Sequence, residues 1–401
     1  MNNPRRFPPV PFNPEVLRWA RESLNLSLEE VARRMKKTAN DVEAWERGEA
    51  SPTYVQLEKL AYKIYKRPLA LFFFPEVPDE EPIQQSFRTL PEAELKRLSP
   101  RMIELMRKAK TLQMNLSELY KGRNPSARPI WRSLRFGRSD NPDDRAKAAR
   151  NDLGIDLSEQ QSWMDNDIAL KRWRRSLEER GVFVFKDSFR SPGRKLGEDA
   201  ESGESVFSGF CLHDDEFPVI YVNNNDAKTR QIFTLFHELA HLLMGVNGVL
   251  PDYGNKIAYS NNAEWIEPLC NRFAAEFLVP AQDFKARSEG HAVNKDKVEK
   301  WAALYSVSRE TILRRLLDWG RVSPQDYAQQ SRIWINQKKK SGKGGSYYNN
   351  IIAYLGERYI ETVFDRYDDG AISMEETADY LNLKASQIVA LEEKIADRSR
   401  G

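Results

Sequence analysis

Apolar residues of the segment 14–67 recur every three or four positions, as they do on the buried faces of short helices. Capping signals divide the segment. Ser27 is followed three positions later by Glu30, the pattern of a capping box, and Thr38 and Thr53 stand where two further helices would begin. The pattern therefore predicts a compact domain of four short helices.

The spacing of apolar residues changes from a helical to a strand pattern in the middle of the chain. Three short β-rich runs, Val182–Phe185, Val206–Leu212 and Pro218–Asn223, are separated by clusters of Gly, Ser, Asp and Asn. A helical pattern follows from near Asp226, and the chain is again helical beyond Pro280. We therefore expect a small sheet that is followed by a buried helix.

The amino-acid composition excludes several classes of protein. The 401 residues include 62 Lys and Arg against 59 Asp and Glu, so the net charge of +3 gives no field that would by itself draw the whole chain to nucleic acid or to a membrane. Two cysteines without a CxxC pair exclude a disulfide framework and a four-thiolate zinc site. No apolar run approaches the roughly 20 residues that span a bilayer. We expect a cytoplasmic protein with no membrane partner.

The run LSLEEVARRMKKTANDVEAWERGEASPTYVQLEKLA carries Trp45-Glu46, Gly48 and Pro52 at fixed distances. It resembles the Cro/repressor-type helix-turn-helix family, and the resemblance covers about 55 residues. It implies binding to double-stranded DNA. A dimerisation or substrate-sensing module is the alternative.

The predicted recognition helix is acidic. It holds Asp41, Glu43 and Glu46 against Arg47, a net charge of −2, which weakens the expectation of DNA binding. A basic cluster precedes it. The candidate DNA-contacting residues are Arg33, Arg34, Lys36, Lys37, Thr38, Asn40 and Arg47.

A metal-binding motif, HELAH, begins at His237 within an apolar helical stretch. His237 and His241 are four residues apart, so both imidazoles lie on one helical face and can reach one zinc ion. Glu238 is the candidate general base. Two surface histidines on an amphipathic helix would be the structural alternative.

A third zinc ligand is expected in the next helix, over residues 264–280. Glu267 and Asn271 are four apart, so Glu267 can bind the metal while Asn271 orients a ligating imidazole through its other nitrogen. Glu264 is the rival ligand.

HELAHLL followed by IEPLCNRFAAEFLVP resembles the ImmA/IrrE metallopeptidases over residues 165–335. The resemblance implies a gluzincin-like zinc protease with ligands His237, His241 and Glu267 and with Glu238 as general base. Peptidases of this family act on helix-turn-helix repressors. Cys270 stands where the family usually has Ala, and we expect it to be a buried, inert side chain.

Two features of substrate binding stay open. The strand at Val219–Val222 could pair with an extended peptide by β-augmentation. The residue that stabilises the oxyanion is not determined by the sequence. The candidates are Tyr221, Tyr253, Tyr259 and His291.

Two weaker patterns lie nearer the carboxyl terminus. Ser308–Leu317, with three arginines, could be a second helix-turn-helix, although helical support for the peptidase is the favoured interpretation. Residues 365–376 resemble an EF-hand loop, but Tyr367 stands where an oxygen ligand belongs, so we expect a turn between helices.

The sequence thus predicts a multidomain, mainly helical protein with a small α+β, zincin-like peptidase domain. The expected parts are a helix-turn-helix domain (1–67), a helical connector (68–128), a peptidase domain (129–335), a basic linker (336–346) and a helical module (347–401).

The predicted function is a zinc endopeptidase that regulates transcription by cutting itself or a partner, such as a helix-turn-helix repressor or a cognate toxin. A homodimer is possible. The alternative is a DNA-binding regulator or antitoxin-like protein whose peptidase fold mainly binds a partner.

Overall fold

The computed structural model describes residues 11–80, 87, 95, 98–163, 165–190, 207–251, 265–335 and 346–399. Two compact units divide the chain between Lys108 and Ala109. The predicted architecture, mainly helical with a small α+β part, is confirmed. No described helix is both long enough and apolar enough to cross a bilayer. The predicted linker lies almost wholly outside the described residues.

The first unit contains the four predicted helices. Capping boxes begin three of them, at Ser27, Thr38 and Thr53, so the predicted helix starts are confirmed. The last helix continues as a π-helical turn, Leu60–Tyr65, which is followed by a 3₁₀ turn, Leu69–Phe73. The helices are α1 (Pro14–Glu22), α2 (Leu28–Met35), α3 (Ala39–Glu46) and α4 (Tyr54–Lys59).

Helices surround a four-stranded sheet in the second unit. Helix α5 (Pro100–Leu119) spans the boundary between the units. Before the sheet come α6 (Ile130–Ser133), α7 (Pro142–Leu153), α8 (Leu157–Ser162) and α9 (Asn166–Glu179). Between and after the strands come α10 (Lys228–Leu243), α11 (Ile266–Leu278), α12 (Ala281–Ser288), α13 (Lys295–Leu304), α14 (Arg309–Asp318) and α15 (Pro324–Ile335). The last helices are α16 (Tyr347–Leu355), α17 (Glu357–Asp368), α18 (Met374–Leu381) and α19 (Ile388–Ser399).

The sheet has the strand order β1-β3-β2-β4, from β1 (Phe183–Asp187), β2 (Phe207–Leu212), β3 (Val219–Asn223) and β4 (Gly248–Pro251). Strand β3 is parallel to β1 and antiparallel to β2, and β2 is antiparallel to β4. Because both edges of β3 are paired, the expectation that β3 adds a peptide strand is wrong. The terminal strand beside the metal-motif helix is β4.

Helix α10 packs closely on one face of the sheet. Cys211 of β2 and Ile220 of β3 share a buried core with Leu235 and Leu239 of α10. Gly209 makes this close packing possible, because a Cβ there would lie 2.4 Å from Cγ2 of Thr234. These contacts therefore fix the distance of α10 from the sheet and the face that the helix turns toward it.

The predicted turn is formed by residues 369–373, between α17 and α18. The carboxylate of Glu376 accepts a hydrogen bond from the backbone N–H of Ser373 at 2.7 Å, and the Ser373 hydroxyl accepts one from the N–H of Glu376. The carboxylate that an EF-hand would give to calcium thus caps α18.

Candidate metal centre

Helix α10 carries His237, Glu238 and His241 into the interior, where all three side chains are fully buried. The two Nε2 atoms of the histidines lie 3.2 Å apart. The helical repeat explains this convergence, since residues four apart share a face. The sequence spacing therefore becomes a pair of imidazoles that point at one position.

Glu267 of α11 completes the cluster. Its carboxylate oxygens lie 3.2 Å from Nε2 of His237 and 3.1 Å from Nε2 of His241. Ligands placed about 2.1 Å from a tetrahedral zinc ion are themselves about 3.4 Å apart, so these three side chains fit such an ion with little movement. Among the described residues, these three form the one group suited to a metal. The rival ligand, Glu264, lies outside the described residues.

Asn271 lies one turn beyond Glu267 on α11. Its Oδ1 atom is 3.2 Å from Nδ1 of His237. Because an amide oxygen can only accept, Nδ1 must carry the hydrogen, and this leaves the Nε2 lone pair of His237 free to face the cluster. The structure thus brings Asn271 to the position that the sequence spacing predicts for it.

Glu238 is buried beside the cluster, and apart from the neighbouring Cys211 thiol its carboxylate oxygens have no hydrogen-bond partner among the described residues. Nδ1 of His241 likewise has no hydrogen-bond partner among the described residues apart from the neighbouring Cys270 thiol. Burial raises the pKa of Glu238. For Glu267 burial acts in the same direction, but the neighbouring His241 and His237 outweigh it and the pKa of Glu267 is lowered. Buried polar atoms without partners are rare in proteins, so this site has the character of one that receives a ligand.

Two residues of the centre were not predicted from the sequence. At Gly248 of β4, a Cβ would lie 2.4 Å from ring carbons of His241 and 2.9 Å from Oε2 of Glu238. The backbone N–H of Gly248 donates to Sγ of Cys211 at 3.2 Å, which ties β4 to β2 beside the metal motif. A glycine soon after the motif helix is the signal that could have indicated such a close approach.

The oxyanion candidates are reduced by the fold. Tyr221 lies in β3, where its ring stacks on Phe210 and its hydroxyl donates to Asp187 at 3.4 Å. Successive strand residues alternate between faces, so Tyr221 lies opposite Ile220 and away from α10. Tyr221 is therefore excluded as the residue that stabilises the oxyanion. Tyr253 and Tyr259 lie outside the described residues, and His291 is exposed after α12.

Cys270 is buried, as expected, and its environment includes the metal motif. Burial raises the pKa of the Cys270 thiol, and His241 acts in the opposite direction. The Cys270 thiol is thus close enough to His241 for the two groups to interact electrostatically.

The charge exposed on the surface of the helix-turn-helix domain differs from the charge that its sequence suggests. Glu46 is buried, and Arg21 of α1 donates two hydrogen bonds to its carboxylate, at 2.7 and 2.9 Å. Glu43 pairs with Arg47 along α3. The exposed face of α3 is therefore less acidic than the sequence suggests, because Glu46 is an internal structural residue.

The candidate DNA-contacting residues lie on the surface of the first unit. Arg33 and Arg34 are exposed on α2, and Lys36 and Lys37 are exposed in the turn before α3. Asn40 and Arg47 are also exposed. The hydroxyl of Thr38 is occupied, because it donates to Asp41 Oδ2 at 2.8 Å and accepts from the Asp41 N–H.

The arginines of Ser308–Leu317 make contacts within the protein. Arg315 is buried and donates to Glu276 at 2.6 Å and to the carbonyl of Val279 at 2.7 Å. Arg314 pairs with Asp318. These contacts agree with helical support for the domain that contains the metal motif.

Comparison with known proteins shows similarity in both the helix-turn-helix domain and the domain that contains the metal motif. A family model described as the IrrE N-terminal-like domain matches residues 178–317, and a helix-turn-helix model matches residues 17–61. The radiation response metalloprotease IrrE of Deinococcus deserti is 31% identical over 109 residues, which cover 25% of this chain and 39% of that protein. The chain joins a helix-turn-helix domain to an IrrE-like domain. Both resemblances noted from the sequence are thus confirmed.

The IrrE-like domain contains the entire cluster of His237, Glu238, His241 and Glu267. The chain spans well under half of the curated relative that it matches. The two family models together indicate a DNA-binding-type domain followed by a metallopeptidase-like domain.

Proposed function

We propose that this protein is a zinc-dependent, site-specific endopeptidase that is coupled to a DNA-binding domain. The observation that carries the proposal is the convergence of His237, His241 and Glu267 within 3.2 Å of one another, next to the fully buried carboxylate of Glu238. Two imidazoles and one carboxylate are the donor set of a catalytic zinc site with an open position.

Zinc bound by these residues would supply Lewis-acid activation of water and of the peptide carbonyl. Glu238 then accepts a proton at its carboxylate and delivers it to the nitrogen of the leaving amine. Asn271 keeps the His237 ring in the orientation that ligation needs. Burial of the site excludes bulk water and strengthens these electrostatic interactions.

Strand β4 is the element that we propose to bind the substrate backbone. Among the described strands it pairs with β2 alone, so its other edge can accept an extended peptide. Gly248 at the start of β4 lies against His241 and Glu238. A peptide added to this edge would therefore run past the catalytic cluster.

The helix-turn-helix domain suggests that the substrate is a regulator of transcription. Cleavage of the chain itself, of a partner repressor or of a cognate toxin would then change the expression of genes in a stress, phage-defence or mobile-element setting. Exposed Arg33, Arg34, Lys36 and Lys37 supply phosphate contacts in this proposal. Dimerisation would present two recognition helices to the DNA.

The test is proteolysis by matched variants. The zinc-loaded chain is incubated with proteins encoded next to its gene and with DNA, and new amino termini are sequenced. Glu238→Gln should lower the cleavage rate at least ~100-fold while the zinc content is unchanged. Glu159→Gln, an exposed exchange of the same chemistry on α8, should cleave like the wild type.

Cleavage by Glu238→Gln at the wild-type rate would contradict the mechanism. If neither protein cleaves but both bind one of the neighbouring proteins, the alternative is favoured, in which the peptidase fold mainly binds a partner and hydrolysis is slow or absent.

A further inference from the structure

The second unit contains a cleft of about 770 Å³ that the metal centre does not use. Helices α9, α16 and α17 form much of its wall, and β1 and the start of α10 contribute one lysine each. Volumes of roughly 300–1,000 Å³ are typical of small-molecule sites. The cleft therefore has room for a small ligand.

Lys186 of β1 lines this cleft and is 7% exposed. Its Nζ atom donates to Oε1 of Gln231 on α10 at 3.2 Å. In the described part of the chain no carboxylate lies within 4.0 Å of that amine. An ammonium group has three donors, and a buried charge with a single neutral acceptor is costly.

Two neighbouring cations of the cleft have their own carboxylates. Arg174 pairs with Glu178 at 2.9 Å, and Lys228 pairs with Asp167 at 3.1 Å. Lys186 is the unpaired member of the three. Burial and the two neighbouring cations, Arg174 and Lys228, lower the pKa of Lys186 to about 7.

We propose that the cleft binds a small organic monocarboxylate whose carboxylate pairs with Lys186. The apolar part of the ligand would contact Leu170 and Ile352, which also line the cleft. One negative charge suits the site, because the other charged residues of the described lining balance, six basic against six acidic, and leave the charge of Lys186 uncompensated.

Binding should take up a proton at alkaline pH. A bound carboxylate favours the charged form of Lys186 and raises its pKa above the value of about 7 in the free protein. Binding is then strongest below pH 7, and affinity falls as pH rises from 7 through the pKa of the complex. The charged residues that line the cleft with Lys186 are Asp167, Lys171, Arg172, Arg174, Arg175, Glu178 and Glu179 of α9, Lys228 of α10, and Glu357, Arg358, Glu361 and Asp365 of α17, whereas the α16 residues of the cleft are uncharged.

The experiment is calorimetric titration of the full chain with benzoate, acetate and inorganic phosphate. Measurements at pH 8 in two buffers of different ionisation enthalpy give the number of protons exchanged on binding. We expect benzoate to bind more tightly than acetate, phosphate to bind most weakly, and uptake to approach ~1 proton per bound benzoate.

Variants identify the group responsible. Lys186→Met should weaken benzoate binding at least ~10-fold and abolish proton uptake, because the paired charge is gone. Lys147→Met, which removes an exposed lysine from α7, should bind benzoate within about twofold of the wild type. The melting temperature of Lys186→Met should equal or exceed that of the wild type, since a poorly solvated amine is replaced by an apolar group of similar length.

Three results would overturn the proposal: no benzoate binding by the wild type, unchanged binding by Lys186→Met, or a preference for phosphate. Proton uptake by the wild-type chain decides the question even if Lys186→Met fails to fold.

Discussion

Gly248 and His241 are in such close contact that a single added carbon would lie 2.4 Å from the imidazole ring. The strand that lies nearest the metal motif therefore depends on the absence of a side chain at this position. Because β4 is fixed to β2 by the hydrogen bond from Gly248 to Cys211, the strand has little freedom to retreat.

Gly248→Ala should accordingly move the His241 ring and lower zinc affinity at least ~10-fold. A competition titration with a zinc chelator measures this. Gly137→Ala is the matched control, because a Cβ there would be 3.6 Å from its nearest neighbour, an ordinary contact. Equal zinc affinity of both variants would contradict the proposed closeness of β4 to the site.

Asn271→Ala should weaken zinc binding about 10- to 100-fold, because the orienting hydrogen bond on Nδ1 of His237 is lost. The same chelator competition measures the change. Arg272→Ala removes the next residue, whose side chain is exposed and pairs with Asp143, and should leave zinc affinity unchanged. A loss in Arg272→Ala as large as in Asn271→Ala would indicate a general effect on α11.

Glu46→Ala should destabilise the first unit by about 3 kcal/mol, because Arg21 would lose the partner that satisfies its guanidinium in a mostly buried site. Glu43→Ala removes the exposed partner of Arg47 on the same helix and should cost less than about 1 kcal/mol. Hydrogen exchange of the α3 amides in the full chain measures both. Similar losses in the two variants would argue against an internal role for Glu46.

Exchange of Arg33, Arg34, Lys36 and Lys37 for glutamine should weaken DNA binding across sequences. If all four contact phosphates, the salt dependence of log K should become shallower by roughly 3 to 4. A chain with Arg135, Lys147, Lys171 and Lys295 exchanged for glutamine loses the same charge from exposed positions of the second unit. Equal effects of the two sets in a gel-shift titration would indicate that net charge alone controls the binding.

Local signals in the sequence predicted the helix starts and the candidate metal ligands, whose convergence the structure shows. Ser27 and Glu30 specify a helix start through contacts three residues apart, and His237 and His241 share a face through the helical repeat. Glu267 and Asn271 were placed by the same four-residue spacing in another helix. Which side chains share a face depends on the geometry of one helix, whereas the approach of α11 to α10 at the candidate site depends on tertiary packing.

Features that depend on contacts between elements could not be predicted in this way. The strand order places β3 inside the sheet, whereas its sequence is equally suited to an edge. Glu46 was counted as a surface charge because its partner, Arg21, lies 25 residues earlier in another helix. The buried position of Lys186 likewise arises from the packing around β1.

The most direct test of the central claim is the zinc content of the purified full-length chain and its variants, measured by elemental mass spectrometry. We expect about one zinc per wild-type chain, loss of zinc in the double variant His237→Ala, His241→Ala, and retention in Glu238→Gln, because Glu238 is proposed to transfer protons and not to bind the metal. Full retention of zinc by the double variant would show that the metal is bound elsewhere and would contradict the proposed catalytic centre.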